Sequence, residues 1–143
     1  MRLALLFLTI VASMVSCKKE SLDINSFWQC NKLQNLDSTA ISSKLLGSWT
    51  WTKRSCFGTG KTKSADKNVK VSFDINHTFT VDERSNTLTQ GAWKLVQVDG
   101  NSWELDLSLP SEYLYGIILF CSNQVLFNDS YRDGCDNLFN RSN

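Results

Sequence analysis

Apolar and polar residues alternate without a break along Val69-Lys70-Val71-Ser72-Phe73-Asp74-Ile75, and the same period of two returns along Trp103-Glu104-Leu105-Asp106-Leu107-Ser108-Leu109. Successive side chains of a strand point to opposite faces, so each segment predicts a strand with one dry face and one wet face. Runs rich in β-branched and aromatic residues predict further strands at 48–56, 78–83, 91–98, 113–121, 124–128 and 136–141. Turn chemistry separates several of them, at Asn76-His77, Asp99-Gly100, Ser122-Asn123 and Asp133-Gly134. The single proline, Pro110, falls at a strand end, where it interrupts no ladder. Ahead of Gly47 the pattern predicts a short helical segment that Asp37 or Ser38 caps. The expectation is an all-β chain in which eight antiparallel strands, joined in sequence by short connections, close into one up-and-down barrel.

Parity refines one hairpin. A two-residue loop at Asn76-His77 pairs Ile75 with Thr78 and sends Phe79 and Val81 to the face opposite Phe73 and Ile75, leaving one apolar set in water. A three-residue loop, Asn76-His77-Thr78, instead pairs Ile75 with Phe79 and Phe73 with Val81. The longer loop or an equivalent bulge is therefore expected, with His77 at an exposed tip as a turn residue tolerant of unusual dihedrals.

The first residues follow neither pattern. Arg2 precedes an uncharged run from Leu3 to Ala12, too short to span a bilayer stably as a helix, and the run closes on Met14-Val15-Ser16-Cys17. This closing segment resembles the bacterial lipobox, in which an apolar residue and a small residue precede a lipid-accepting cysteine. Residues 1–16 are accordingly expected to be a lipoprotein signal peptide, Cys17 the acylated N-terminus, 17–36 a lipidated tether and N-terminal segment, and 37–143 the barrel domain. Acyl chains on Cys17 hold a protein on a membrane without a transmembrane helix. Lys18 in the second mature position carries no inner-membrane retention signal, which points to the outer membrane, facing either the periplasm or the exterior.

Charge and cysteine content narrow the function. Removing residues 1–16 takes away Arg2 alone, leaving 14 basic residues against 14 acidic ones. A neutral domain lacks the excess of Lys and Arg that a nucleic-acid groove or a polybasic membrane patch needs. With Cys17 acylated, Cys30, Cys56, Cys121 and Cys135 remain, an even number suited to two disulfides in an oxidising compartment, with three possible pairings. These cysteines contain no CxxC, and the only histidine, His77, is remote from them in sequence, so no zinc or other metal site is expected. One turn histidine and no Gly-x-Ser-x-Gly leave no nucleophile–base set, and the chain is read as a non-enzyme without a cofactor. Gly58 to Asn68, despite Lys61-Thr62-Lys63 between glycines, lacks the helix of a phosphate loop and reads as a flexible polar connection.

Three segments carry a family resemblance over roughly residues 37–143. Leu45-Leu46-Gly47-Ser48-Trp49-Thr50-Trp51 resembles the Gly-x-Trp opening strand of lipocalin-like proteins. Phe73-Asp74-Ile75-Asn76-His77-Thr78-Phe79 is similar to the hairpin of small lipoproteins of that kind, and Asp133-Gly134-Cys135-Asp136-Asn137-Leu138-Phe139-Asn140-Arg141 resembles their final strand. The Thr-Asp-Tyr motif of the main lipocalin family is absent. The resemblance implies a cation–π contact between Trp49 and Arg141 at the closed end, a structural role, and it places the connection after the first strand over the barrel mouth. In a closed meander the first and last strands are neighbours, so Cys56 is expected to pair with Cys135, leaving Cys30 with Cys121. The second bridge then pins Phe27-Trp28-Gln29-Cys30 to the barrel.

A barrel of eight strands holds packed side chains or one small ligand. Trp51, Phe73, Phe79, Trp93, Trp103, Tyr113 and Tyr115 are the candidate cavity-lining residues, with core filling as the competing role for each. The leading expectation is a monomeric, membrane-anchored envelope lipoprotein whose barrel binds a small apolar or amphipathic ligand. The alternative is a protein-binding envelope lipoprotein that acts through its loops, similar to the small eight-stranded lysozyme inhibitors. Neither involves nucleic acid.

Overall fold

The computed structural model describes residues 22–142. The expected signal peptide, Cys17 and the first residues of the expected tether lie outside them. Strand β1 (Gly47–Cys56) is the axis of the sheet: it pairs antiparallel with β3 (Val69–Phe73) along one edge and with β9 (Cys135–Arg141) along the other. From β3 the sheet continues through β4 (Thr78–Glu83), β5 (Asn86–Asp99) and β6 (Ser102–Leu107). From β9 it continues through β8 (Gln124–Asn128) to β7 (Ile117–Cys121). Among the described residues β6 and β7 approach each other without a hydrogen-bonded ladder, so the eight strands form a nearly closed antiparallel barrel with one seam. A ninth short strand, β2 (Thr62–Ser64), takes up the edge of β1 beyond the end of β3.

Two helices precede the barrel. In α1 (Ile24–Gln34) the Asp23 carboxylate caps the first turn by accepting from the Ser26 backbone and hydroxyl, and these bonds hold its pKa below the usual carboxylate value. Asn35 closes the helix in the left-handed conformation. In α2 (Ser38–Leu45) the cap is Asp37, whose carboxylate accepts from Ala40 N at 2.8 Å. The expected tether is thus largely helical from Ile24 onward.

Alternation sorts the apolar residues into two layers. Inside the barrel, Val71, Phe79, Val81, Phe127 and Phe139 are essentially inaccessible, and α2 contributes Ile41 and Leu45 to the same core. On the outer face of β7, β8 and β9, Leu119, Leu126 and Leu138 meet Phe27 of α1. Burying one such side chain stabilises the fold by roughly 1.5–3 kcal/mol, which explains why β7 and β8 are apolar on both faces. The Cys30–Cys121 disulfide fastens α1 to β7, and Cys56–Cys135 joins the paired ends of β1 and β9. These are the bridges expected from the strand order.

Three details differ from the sequence reading. Phe73 pairs with Phe79 and Val71 with Val81, so the hairpin keeps the predicted parity but its register lies two residues away. Ile75 is consequently left in the turn, 75% exposed, with His77 beside it at φ 59°. The strand expected over 113–121 starts only at Ile117, because Gly116 turns the chain at φ +101° against the Asn128 backbone. The connection Gly58–Asn68 is not a plain loop: it contains β2, and Ala65 N donates to Thr52 O at 2.8 Å.

Candidate functional site

At the end of the barrel marked by the Cys56–Cys135 bridge lies a cavity of about 370 Å³. Its apolar wall is built by Trp51 from β1 and Tyr113 from the turn before β7, whose rings meet edge to face at 5.2 Å. Charged groups surround that wall: Arg54 from β1, Lys61, Lys63, Asp66 and Lys67 from the connection that contains β2, and Glu112 beside Tyr113. The resulting pocket has an aromatic interior and a polar rim, the usual division of labour in a small-molecule site.

The rim charges are unequally engaged. Arg54 donates to Glu112 at 2.9 Å and Lys67 to Glu83 at 3.2 Å, the second bond raising the Lys67 pKa. Lys61 and Lys63 make no ion pair among the described residues, and both are exposed. Burial, with the nearby Glu112 charge, pushes the Tyr113 phenol above its ordinary pKa, so this ring presents a neutral hydroxyl. Three buried side-chain polar atoms among the described residues have no protein partner, and all lie toward this end: Trp51 Nε1, a donor, and Asp136 Oδ2 and Asn137 Oδ1, acceptors. Asn137 is placed there by pairing with Arg54 and by donating its amide to Glu112 O at 3.2 Å. Unpartnered buried polar groups are uncommon, and the Trp51 side chain that carries one of them lines this cavity.

Of the seven candidate lining residues, the structure brings Trp51 and Tyr113 to this cavity. Phe73, Phe79 and Trp93 pack together toward the opposite, Gly47 end, with Phe73 and Trp93 edge to face at 5.6 Å. Trp93 Nε1 donates to Thr78 O at 3.1 Å, a structural use of its polar atom. Trp103 is partly buried against the core, and Tyr115 is 45% exposed. The seven therefore do not line one chamber: Trp51 and Tyr113 reach this cavity and the other five do not. The charged members Arg54, Lys61, Lys63, Asp66, Lys67 and Glu112 are outside the sequence-derived candidates. The signal for them was the run of three lysines between Lys61 and Lys67 in a connection placed over the mouth.

A second hollow, of about 680 Å³, lies outside the barrel between α1 and the turn joining β5 to β6, bordered by Trp28, Asn31, Leu36, Asn101, Ile117 and Leu119. Its only charged border residue is Lys32, and it lacks the convergence of aromatic and charged groups found at the Cys56 end. Among the described residues no group of His, Cys, Asp and Glu side chains is arranged to hold a metal ion, and no helix is long and apolar enough to cross a membrane. Comparison with protein-family models, curated proteins and solved structures finds no match to this chain.

Proposed function

We propose that this chain is a lipid-anchored envelope protein, acylated at Cys17, whose lipocalin-like barrel binds one small anionic amphiphile at its Cys56 end. The observation that carries this reading is the cavity itself, where the Trp51 and Tyr113 rings stand beside Lys61 and Lys63. An alkyl or aryl group removes apolar surface from water against the rings, while an acidic head group lies against Lys61 and Lys63, which make no ion pair among the described residues. The two disulfides suit an oxidising compartment, in keeping with export.

Fluorescence titration with an anilinonaphthalene sulfonate, followed by displacement with decanoate, tests the binding reading. One site per chain is expected, with decanoate displacing the probe and decanol displacing it at least tenfold less well. Equal displacement by acid and alcohol removes the role of the rim, and no saturable probe binding removes the site. Acylation is tested separately by metabolic labelling with an alkyne fatty acid, which the Cys17→Ser variant is expected to abolish.

A further inference from the structure

We infer that the Cys56 end of the barrel is also a membrane-docking face, resting on an anionic lipid surface, so that its cavity opens toward the bilayer and not toward bulk water. The inference rests on the proposed acylation of Cys17 and deepens the ligand reading by naming where the amphiphile comes from.

The argument begins with where the chain joins the fold. Leu22 N donates to Thr62 Oγ1 at 3.1 Å, and Thr62 pairs with Ser55 near the bridge at Cys56. From Leu22 back to Cys17 is five residues, which reach at most about 18 Å when fully extended. Gly47, at the other end of β1, lies eight residues from Ser55, about 26 Å along the strand. An anchor on Cys17 therefore brings the Cys56 end to the membrane and leaves the Gly47 end out of its reach.

The surface presented at that end has the chemistry for such a contact. Phe57, in the 3-10 turn directly after β1, is 64% exposed, and its backbone nitrogen is fixed to Gly134 O. Tyr131, in the neighbouring turn between β8 and β9, is 51% exposed. Aromatic rings of this kind settle at the head-group level of a bilayer. Lys61 and Lys63 follow Phe57 in the same connection, and because Arg54 and Lys67 are already paired with acids, these two lysines are the rim cations left to meet anionic head groups. The rim that borders the cavity is thus the rim that touches lipid.

Tryptophan scanning in vesicles tests this. The native acylated chain, its acyl mass verified on the intact protein, is incorporated into vesicles of phosphatidylglycerol and phosphatidylcholine with brominated acyl chains as quencher. Three variants, Phe57→Trp at the proposed face, Ile75→Trp at the opposite end and Leu33→Trp on α1, replace residues that are all well exposed, so none disturbs the core. Quenching of the added emission is expected for Phe57→Trp alone, and a further Lys61→Glu/Lys63→Glu change is expected to cut it at least twofold. Equal or stronger quenching of Ile75→Trp or Leu33→Trp overturns the orientation while leaving acylation and ligand binding standing. An intact mass without acyl groups overturns the inference together with lipid anchoring, and the probe titration then still decides the ligand site independently.

Discussion

The Arg141 guanidinium lies 4.8 Å from the centre of the Trp49 ring, and the same group donates to Lys44 O and Leu46 O at 2.8 and 2.7 Å. One side chain of the last strand thereby covers the first strand's tryptophan and closes the C-terminal end of α2, where a cation is favoured by the helix dipole. Trp49 completes the joint by donating from Nε1 to Leu45 O at 2.7 Å. Gly47 makes room for the arginine: it sits at φ +104°, and a Cβ there would come within 3.3 Å of Arg141 Nη2.

Replacing Arg141 by Met is expected to cost about 2–4 kcal/mol, since it removes two charge-assisted hydrogen bonds and the ring contact while keeping an aliphatic stem. Arg141→Lys is expected to recover less than half, because an ammonium is not a planar fork. Urea unfolding of the two variants measures both. Equal stability of wild type and Arg141→Met would mean that the joint is decorative.

Gly116→Ala is expected to be among the most destabilising single changes. A Cβ at this position collides with the Asn128 backbone, and φ +101° is poorly accessible to alanine. A loss of about 3 kcal/mol or more in denaturant unfolding is expected, against less than about 1 kcal/mol for Gly58→Ala, where a Cβ meets open space.

The two disulfides are expected to be separable. They close loops with sequence separations of 79 and 91, for which unfolded-state entropy predicts about 4.5 kcal/mol each. Removing Cys30–Cys121 frees α1 from β7 and is expected to open Phe27 and the α1 backbone to limited proteolysis while the barrel persists. Removing Cys56–Cys135 loosens the cavity end itself and is expected to weaken probe binding. Identical proteolysis patterns for the two serine double variants would contradict this division.

Tyr131 supplies a pH test. Burial and its hydrogen bond to Glu104 raise the phenol pKa from 10.0 to about 12. The folded state therefore retains this proton where the unfolded chain has lost it, so the stabilisation is present below pH 10 and disappears as pH rises toward 12. Ultraviolet titration is expected to show a late-ionising tyrosine that vanishes in Tyr131→Phe and moves to lower pH in Glu104→Gln. A Tyr131→Phe titration superimposable on the wild type would show that the contact does not form.

Much of the barrel was legible because it rests on period-two patterning: Val69 to Phe73 has one buried face, and a one-residue shift of register would expose it. The contact of Trp49 with Arg141 was implied by the resemblance to lipocalin-like proteins, and the cysteine pairs followed from the meander, since closure makes the first and last strands neighbours. The hairpin register did not follow, because parity holds equally for two registers offset by two residues, and only tertiary packing leaves Ile75 outside. The start of β7 was hidden because Tyr113 and Leu114 are apolar for a different reason, burial in a turn. Helix α1 was concealed by its polarity, although Asp23 three residues before Ser26 is a capping signal. Nor can sequence separate an aromatic that fills a barrel from one that lines a cavity. Phe73 and Trp51 carry the same inward signal, and the distinction lies in what stands across from each of them.

Charge at the rim should decide affinity. Lys61→Glu/Lys63→Glu is expected to weaken decanoate binding at least tenfold, equivalent to about 1.4 kcal/mol, without changing urea stability by more than about 0.5 kcal/mol, because both side chains are exposed. Competition titrations beside unfolding curves check the pair of outcomes. A large stability loss with unchanged affinity would assign the lysines to the fold instead.

The most direct measurement is the set of indole N–H resonances in a ¹H–¹⁵N spectrum of the protein titrated with decanoate. The Trp51 side chain lines the cavity and its buried Nε1 has no partner among the described residues, whereas Trp49 and Trp93 already donate to Leu45 O and Thr78 O. Binding at the Cys56 end predicts a saturable shift of the Trp51 signal with those of Trp49 and Trp93 nearly stationary. An unmoved Trp51 resonance at saturating decanoate, or shifts confined to Trp28 at the outer groove, would contradict it.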